Sequence, residues 1–213
     1  MTGNKKSKVI DFHVHIALKE HWQTRIHEHL RTVNPEFYDR YDEFLVPQNF
    51  AAYLAAMGIE RAVILAENCP ATTGVVPNEF VLNFCRGHEL LIPFCTVNPS
   101  LETDIASIVK TNIREGAAGI KLYPSYNHFC PNDKTLWPVY ELAQEHGLPV
   151  LVHTGSSVFR GSKIKYANPL FLDDVAVDFP DCCLILAHGG RGLWYETAFF
   201  LSRLHPNVYL EIS

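Results

Sequence analysis

Asp11-Phe12-His13-Val14-His15 closes a short apolar run that begins at Val9, and side chains two apart on a strand share a face. Asp11, His13 and His15 are therefore expected to project together, with Phe12 and Val14 opposite. Two imidazoles on one face suit a borderline divalent metal. Neutral ring nitrogens are its ligands, and a catalytic site needs about three protein ligands plus a position open to water. Asp11 has the place of a carboxylate that orients a ligand from behind. A solvated histidine pair at a strand end fits the same spacing, so the motif gains weight only from its company. That company exists: Leu151-Val152-His153 and Leu186-Ala187-His188 each end an apolar run in His followed by a small-residue turn.

Lys121, in Gly119-Ile120-Lys121-Leu122-Tyr123-Pro124, is a charge inside a short apolar strand-like run. Burying it is costly unless it is paired or loses its charge. Three uses remain open: carbamylation by carbon dioxide to make an anionic bridge between two metals, an ammonium that polarises substrate, and an outward lysine with no role. Arg191, in Gly189-Gly190-Arg191-Gly192, offers a bidentate fork for a carboxylate, although a surface salt bridge suits it equally. Those glycines lack the spacing of a phosphate loop or a dinucleotide fingerprint. Tyr123, His128 in the loop Ser125 to Phe129, and Glu67, Asn68 and Asn98 at strand ends are candidate substrate contacts. His27-Glu28-His29 repeats the H-x-H spelling within a helix-like stretch, where residues two apart diverge, so no site is expected there. Thr154-Gly155-Ser156-Ser157 lacks the nucleophile elbow of serine hydrolases.

The elements that must position these residues alternate. Strand-like runs at Val9 to His15, Arg61 to Glu67, Leu91 to Val97, Gly119 to Tyr123, Pro149 to His153, Leu184 to His188 and Val208 to Ile212 are separated by helical stretches such as Glu102 to Glu115, Thr135 to His146 and Asn168 to Phe179. His146-Gly147-Leu148-Pro149 shows the stop signal, a helix-ending Gly followed by a Pro that cannot continue the helix. This rhythm predicts an α/β fold with parallel strands and helical crossovers. Ligands of such folds gather at the carboxyl ends of the strands, so four histidines from three strand ends converge by topology. The segment 17–46 breaks the rhythm and reads as a helical insertion after strand one, on the face where a lid would lie.

The chain has 213 residues, 47% hydrophobic and 19% charged, which fits one soluble domain. Its net charge is −5, and no basic run occurs beyond Lys5, Lys6 and Lys8, which excludes the electrostatic footprint of a nucleic-acid binder and favours a small polar substrate. The apolar runs are strand-sized and the amino end lacks a signal-peptide stretch, so no membrane association and a cytoplasmic location are expected. None of the six cysteines forms a C-x-x-C pair. They are expected to be reduced, with Cys95, Cys182 and Cys183 packed as small apolar groups.

With D-F-H-V-H on strand one, G-I-K-L-Y-P on four, V-L-V-H-T-G on five and L-I-L-A-H-G-G on six, the chain resembles the amidohydrolase-related (amidohydrolase family 2) metal-dependent enzymes of the TIM-barrel fold. Intervals of 32 residues from Lys121 to His153 and 35 from His153 to His188 fit successive βα units. The resemblance implies a (β/α)8 barrel in which His13, His15 and His153 bind a divalent metal, zinc being the expected ion, with one or two ions present. It implies that Lys121 is the carbamate of two-metal members and that His188 binds a second metal or acts on substrate. It also implies an Asp at the end of strand eight as ligand and general base. Seven strands are legible and that Asp is not among them, so the sequence reads as an incomplete barrel domain spanning 1–213, part of a longer chain.

Hydrolysis of a small-molecule amide, ester or lactone by metal-activated water is the leading expectation. A decarboxylase or hydratase of the same family, with Arg191 holding a carboxylate, is the alternative. A DNA-directed metal nuclease fits less well, having an acidic residue where Lys121 stands, and a non-catalytic binding protein would follow if 213 residues were the native length. The reading leaves room for a homo-oligomer.

Overall fold

A computed structural model describes residues 9–213; Lys5, Lys6 and Lys8 lie outside them. Strand β1 (Val9–Val14) is followed by a 3-10 turn at Lys19–His21 and by helices α1 (Thr24–Val33), α2 (Pro35–Asp39), α3 (Tyr41–Phe44) and α4 (Pro47–Ala56). Then come β2 (Ile59–Leu65), the short strands β3 (Glu67–Cys69) and β4 (Gly74–Val76), α5 (Asn78–Cys85), β5 (Leu91–Thr96), α6 (Ile105–Arg114) and β6 (Gly119–Leu122). The remaining elements are α7 (Pro124–Asn127), α8 (Trp137–His146), β7 (Val150–His153), α9 (Phe171–Asp178), β8 (Leu184–Ala187), α10 (Tyr195–Leu204) and β9 (Val208–Leu210).

Helical crossovers force successive strands to run parallel. Seven strands accordingly form one sheet in the order β1-β2-β5-β6-β7-β8-β9, with every neighbouring pair parallel. The sheet curls into an incomplete (β/α)8 barrel, the parallel α/β arrangement that the sequence rhythm predicts and the barrel that the family resemblance implies, with β1 and β9 as its edges. Strands β3 and β4 form a separate antiparallel hairpin, which no clear alternation in the sequence announces.

Alternation along the strands sorts the core into layers. Ile120, Leu122, Val150, Val152, Leu184 and Leu186 face the helices and pack with residues of α6, α8 and α9. Their sequence neighbours Leu151 and Ile185 face the other way and meet Val63, Leu65, Phe94 and Ala187 on the inner face. In-register pairing of Lys121 with Leu151, and of Leu151 with Ile185, puts the lysine on that same inner face. The outward reading of Lys121 is thereby excluded, and the residue is completely buried.

Strand β1 departs from simple alternation. Its register against β2 shifts between Asp11 and Val14, and Phe12 packs edge-on to Phe94 within the inner cluster, ring centroids 5.7 Å apart. Phe12 therefore does not point away from the inner face as a regular strand would require, while Val14 packs in the outer cluster with the insertion helices. An irregularity of this kind re-aims side chains at a strand end.

Phe94 also explains Gly119. A Cβ at that position would lie 2.3 Å from Cζ of the Phe94 ring, so a side chain on β6 and the ring on β5 cannot coexist. Gly119→Ala should lower the unfolding free energy by about 2 kcal/mol through overpacking. In a Phe94→Leu background the same change should cost clearly less. Equal costs in the two backgrounds, measured by urea denaturation, would contradict this packing.

Candidate metal centre

Because all seven strands run parallel, their carboxyl ends share one rim of the sheet. His13 and His15 lie at the end of β1, His153 ends β7, and His188 follows β8. The imidazoles cluster there, with ring centroids of 5.3 Å for His13 and His15, 4.6 Å for His13 and His188, and 4.9 Å for His153 and His188. Lys121 sits one inward-facing layer below His153, since it is in register with Leu151. Its Nζ has no hydrogen-bond partner and stands 5.0 Å from the centre of the Tyr123 ring.

The turn after β8 is built around backbone contacts. His188 adopts the left-handed conformation (φ 63°), uncommon for a residue with a side chain, and Gly189 and Gly190 continue it. Thr154 Oγ1 donates to the Ala187 carbonyl at 2.6 Å and accepts from Gly190 N–H at 3.0 Å, joining the end of β7 to this turn. A Cβ on Gly155 would lie 2.4 Å from Arg191 N, so Gly155 is what allows the two segments to meet. Arg191 is thereby held over the site, its guanidinium donating to Ser156 O at 3.2 Å.

Two carboxylates join the histidines. Glu67, buried at the start of β3, has Oε2 3.7 Å from His15 Nδ1 and accepts a short hydrogen bond from Thr73 Oγ1. Glu211, just beyond β9, accepts from His13 Nδ1 at 3.0 Å. Glu67 is a rim candidate in the sequence. Glu211 carries a signal that local pattern does contain, a charge within the apolar run Val208 to Ile212, the same signal that singles out Lys121.

Burial dominates the electrostatics. It pushes His13 down to about 4, helped by the positive Lys121 and opposed by Glu211. Burial, Lys121 and His13 hold His188 at about 3. His15 and His153 are lowered well below the imidazole range, by burial first and then by neighbouring cations. Burial lowers Lys121 to about 7 against the pull of Glu211 and Glu67, and raises Glu67 to about 7. Burial alone would raise Glu211 as well, but hydrogen bonds from His13 and Ser213 bring it down to about 2.

His13, His15, His153, His188, Glu67, Tyr123 and Arg191 line one cavity of about 340 Å³. Its outer wall is apolar and comes from the insertion and the loop after β7, with Trp22, Ile26, Phe37 and Phe159 prominent. His29 also faces it, although His27-Glu28-His29 reads as no site in the sequence; its partner His27 instead meets Lys19 O at 2.9 Å. His128 lies outside the lining, with Nε2 2.8 Å from Gly161 O. Asp11 is outside it too, and its Oδ1 accepts from the backbone N–H of His13 at 3.2 Å rather than from an imidazole.

The donor set suits a divalent cation. His15 Nδ1, His153 Nε2 and Lys121 Nζ are buried without hydrogen-bond partners, a costly state that a ligated ion would relieve. Ligand atoms of His13, His188 and Glu211 lie within 4.8 Å of one another. Among the described residues the six cysteines are free thiols and none joins this cluster. No helix among them is long and apolar enough to cross a membrane.

Comparison with known proteins agrees with the fold. The family model described as Amidohydrolase matches residues 10–213. No curated protein matches the sequence. Among solved structures, an uncharacterized TIM-barrel protein from Bordetella bronchiseptica superposes with a TM-score of 0.77 at 23% identity, over 97% of this chain and 75% of that one. The 5-carboxyvanillate decarboxylase from Novosphingobium aromaticivorans, complexed with manganese and a nitrobenzoic acid, gives 0.63 at 14% identity over 95% and 71% of the two chains. The 4-oxalomesaconate hydratase from Rhodopseudomonas palustris gives 0.60 at 16% over 96% and 74%. At such identities these likenesses establish the fold.

The lowered imidazoles have a consequence for stability. Between pH 4.5 and 6.5 the folded protein keeps all four histidines neutral while the unfolded chain protonates them. Glu67 works the other way, remaining protonated only when folded. Four protons taken up on unfolding less one released leaves about three, so stability of the metal-free protein should fall on acidification by about 1.4 kcal/mol per proton per pH unit. Urea titrations across this range should show that slope, and His153→Gln should reduce it by one proton. A pH-independent midpoint would refute the neutral cluster.

Proposed function

The chain belongs to the amidohydrolase family, and on that premise we propose that it is a metal-dependent hydrolase acting on a small, carboxylate-bearing molecule. The observation that carries this reading is the set of buried nitrogens without partners, His15 Nδ1 and His153 Nε2 in the wall of one strand-end cavity and Lys121 Nζ one layer below His153. His13, His15 and His153 would hold the ion, which we take to be zinc, with His188 and Lys121 placed for a second. When bound, such an ion supplies Lewis-acid polarisation of a substrate oxygen and acidifies water.

The chain's own residues then have separable tasks. Arg191, held over the cavity by the Ser156 carbonyl, offers its fork to a substrate carboxylate. Trp22, Phe37 and Phe159 line the outer cavity and exclude water around the rest of the molecule. Glu67 is the carboxylate in the cavity wall placed to accept a proton from attacking water, and Thr73 fixes its orientation. Tyr123 is spent structurally, its hydroxyl donating to Ala66 O at 2.8 Å while its ring contacts the cavity. Lys121, if carbamylated, would add an anionic ligand; its amine attacks carbon dioxide and releases one proton. A carbamate carbon signal after incubation with 13C-labelled carbon dioxide distinguishes that state from the free amine.

A second reading, decarboxylation, is favoured by one observation: Arg191 and an aromatic outer wall frame the same cavity, a setting for a planar acid. Zinc-loaded protein should be assayed against small carboxylates bearing amide, ester and lactone bonds, and against aromatic acids with carbon dioxide detection. Hydrolysis that is lost with chelator, restored by zinc, and reduced at least about 100-fold in kcat by Glu67→Gln with zinc content unchanged is the expected result. Carbon dioxide release without hydrolysis would select the lyase, and activity indifferent to chelator would reject both.

A further inference from the structure

Glu211 approaches the metal centre from a different side than the substrate does. It does not line the cavity that His13, His15, His153 and His188 share. It lines instead a second cavity, between the two edge strands, with Val9, Asp11 and Phe12 of β1 and Tyr209 and Leu210 of β9. From there its carboxylate reaches across the gap between the sheet edges, because His13 belongs to β1 and Glu211 follows β9.

Both oxygens are engaged. Oε2 accepts from His13 Nδ1 at 3.0 Å, from the backbone N–H of His188 at 3.2 Å and from Ser213 Oγ at 3.1 Å. Oε1 accepts a short bond from the backbone N–H of Ser213. An ionised carboxylate has no hydrogen to give, so its bond to a neutral imidazole requires the proton on Nδ1. Nε2 of His13 then carries the free lone pair on the far edge of the ring, and which nitrogen is free is decided by the bond the other one makes. The same oxygen anchors the amide of His188, the residue in the left-handed conformation whose ring stacks on His13. One carboxylate thus holds the ring of His13 and the backbone of His188, whose own ring Nδ1 meets Ser213 Oγ at 3.0 Å.

We infer that Glu211 is a positioning residue that locks His13 as its Nδ1–H tautomer and presents Nε2 to the cavity, and that its carboxylate is not itself a metal ligand. The ligand atoms of Glu211, His13 and His188 lie close enough to hold an ion among themselves, but both carboxylate oxygens are already engaged in hydrogen bonds and Glu211 does not line the cavity. The consequence for metal binding rests on the proposed metal centre; the tautomer does not.

The test uses the full chain with 15N-labelled histidine, first metal-free and then titrated with zinc alone. Long-range proton–nitrogen spectra of the wild type should show His13 protonated at Nδ1 with Nε2 pyridine-like, the peak being assigned through its loss in His13→Gln. Glu211→Ala should shift His13 toward the Nε2–H tautomer and weaken zinc binding about 10- to 100-fold. Glu211→Gln keeps an acceptor oxygen of the same reach and should retain the Nδ1–H tautomer with at most about a 10-fold loss in affinity. If Glu211→Ala does not fold, Glu211→Gln decides: the original tautomer with a loss beyond about 100-fold would make Glu211 a direct ligand and overturn the inference. An Nε2–H tautomer in the wild type, or an unchanged tautomer in Glu211→Ala, would also overturn it. A tautomer shift in Glu211→Ala in a chain that never binds zinc would support the positioning role while rejecting the metal reading.

Discussion

Desolvation of ionisable groups at the strand ends is the constraint around which this molecule is arranged. Lys121 and His153 are almost wholly buried, His13 and His15 adjoin them, and each loses hydration that water would otherwise supply. Four imidazoles and an amine gathered in this way are stable together only if most of them stay neutral. Even then their unpartnered nitrogens leave hydrogen-bonding capacity unused. Glu211 and Glu67 offset part of the cost with negative charge or hydrogen-bond acceptance. A divalent cation would use the remaining lone pairs, which is why the donor set is coherent as a metal centre and hard to explain as a packed core.

Parallel topology makes that gathering possible. Local pattern reveals the strands because apolar runs of five to seven residues stand between helical stretches, and it reveals His153 and His188 because each closes such a run. Lys121 is equally visible as a charge where apolar residues belong, and register then settles its direction. Other features depend on pairings that no local window contains. The contact of His13 with Glu211 spans 198 positions, and the inward turn of Phe12 arises from a register shift against β2. The hairpin of β3 and β4 is three residues to a strand, too short for an alternating pattern to register, yet it carries Glu67 into the cavity.

The outer wall illustrates a different limit. Helix α1 is legible in the sequence as a helix, but which of its faces meets the site depends on how the insertion docks. That docking combines the apolar packing of Trp22, Ile26, Tyr41 and Phe44 with polar contacts to distant loops: Gln23 Nε2 donates to Pro70 O at 2.6 Å, and Arg25 Nη1 donates to Arg160 O at 2.8 Å. Segments following β1, β3 and β7 are thereby tied together over one cavity. The group at the strand ends provides a reaction class, whereas the shape of this wall determines which molecules reach it. Family resemblance through strand-end motifs therefore says little about substrate, and the decarboxylase and hydratase that share the fold show how far chemistry diverges on one frame.

Anomalous diffraction at the zinc edge, from crystals of the whole chain grown with zinc, tests the metal centre most directly. A strong peak is expected in the strand-end cavity about 2.0–2.1 Å from nitrogens of His13, His15 and His153. Glu211 should remain hydrogen-bonded to His13 Nδ1. A cavity without anomalous signal, or a zinc ion held elsewhere on the molecule, would contradict it.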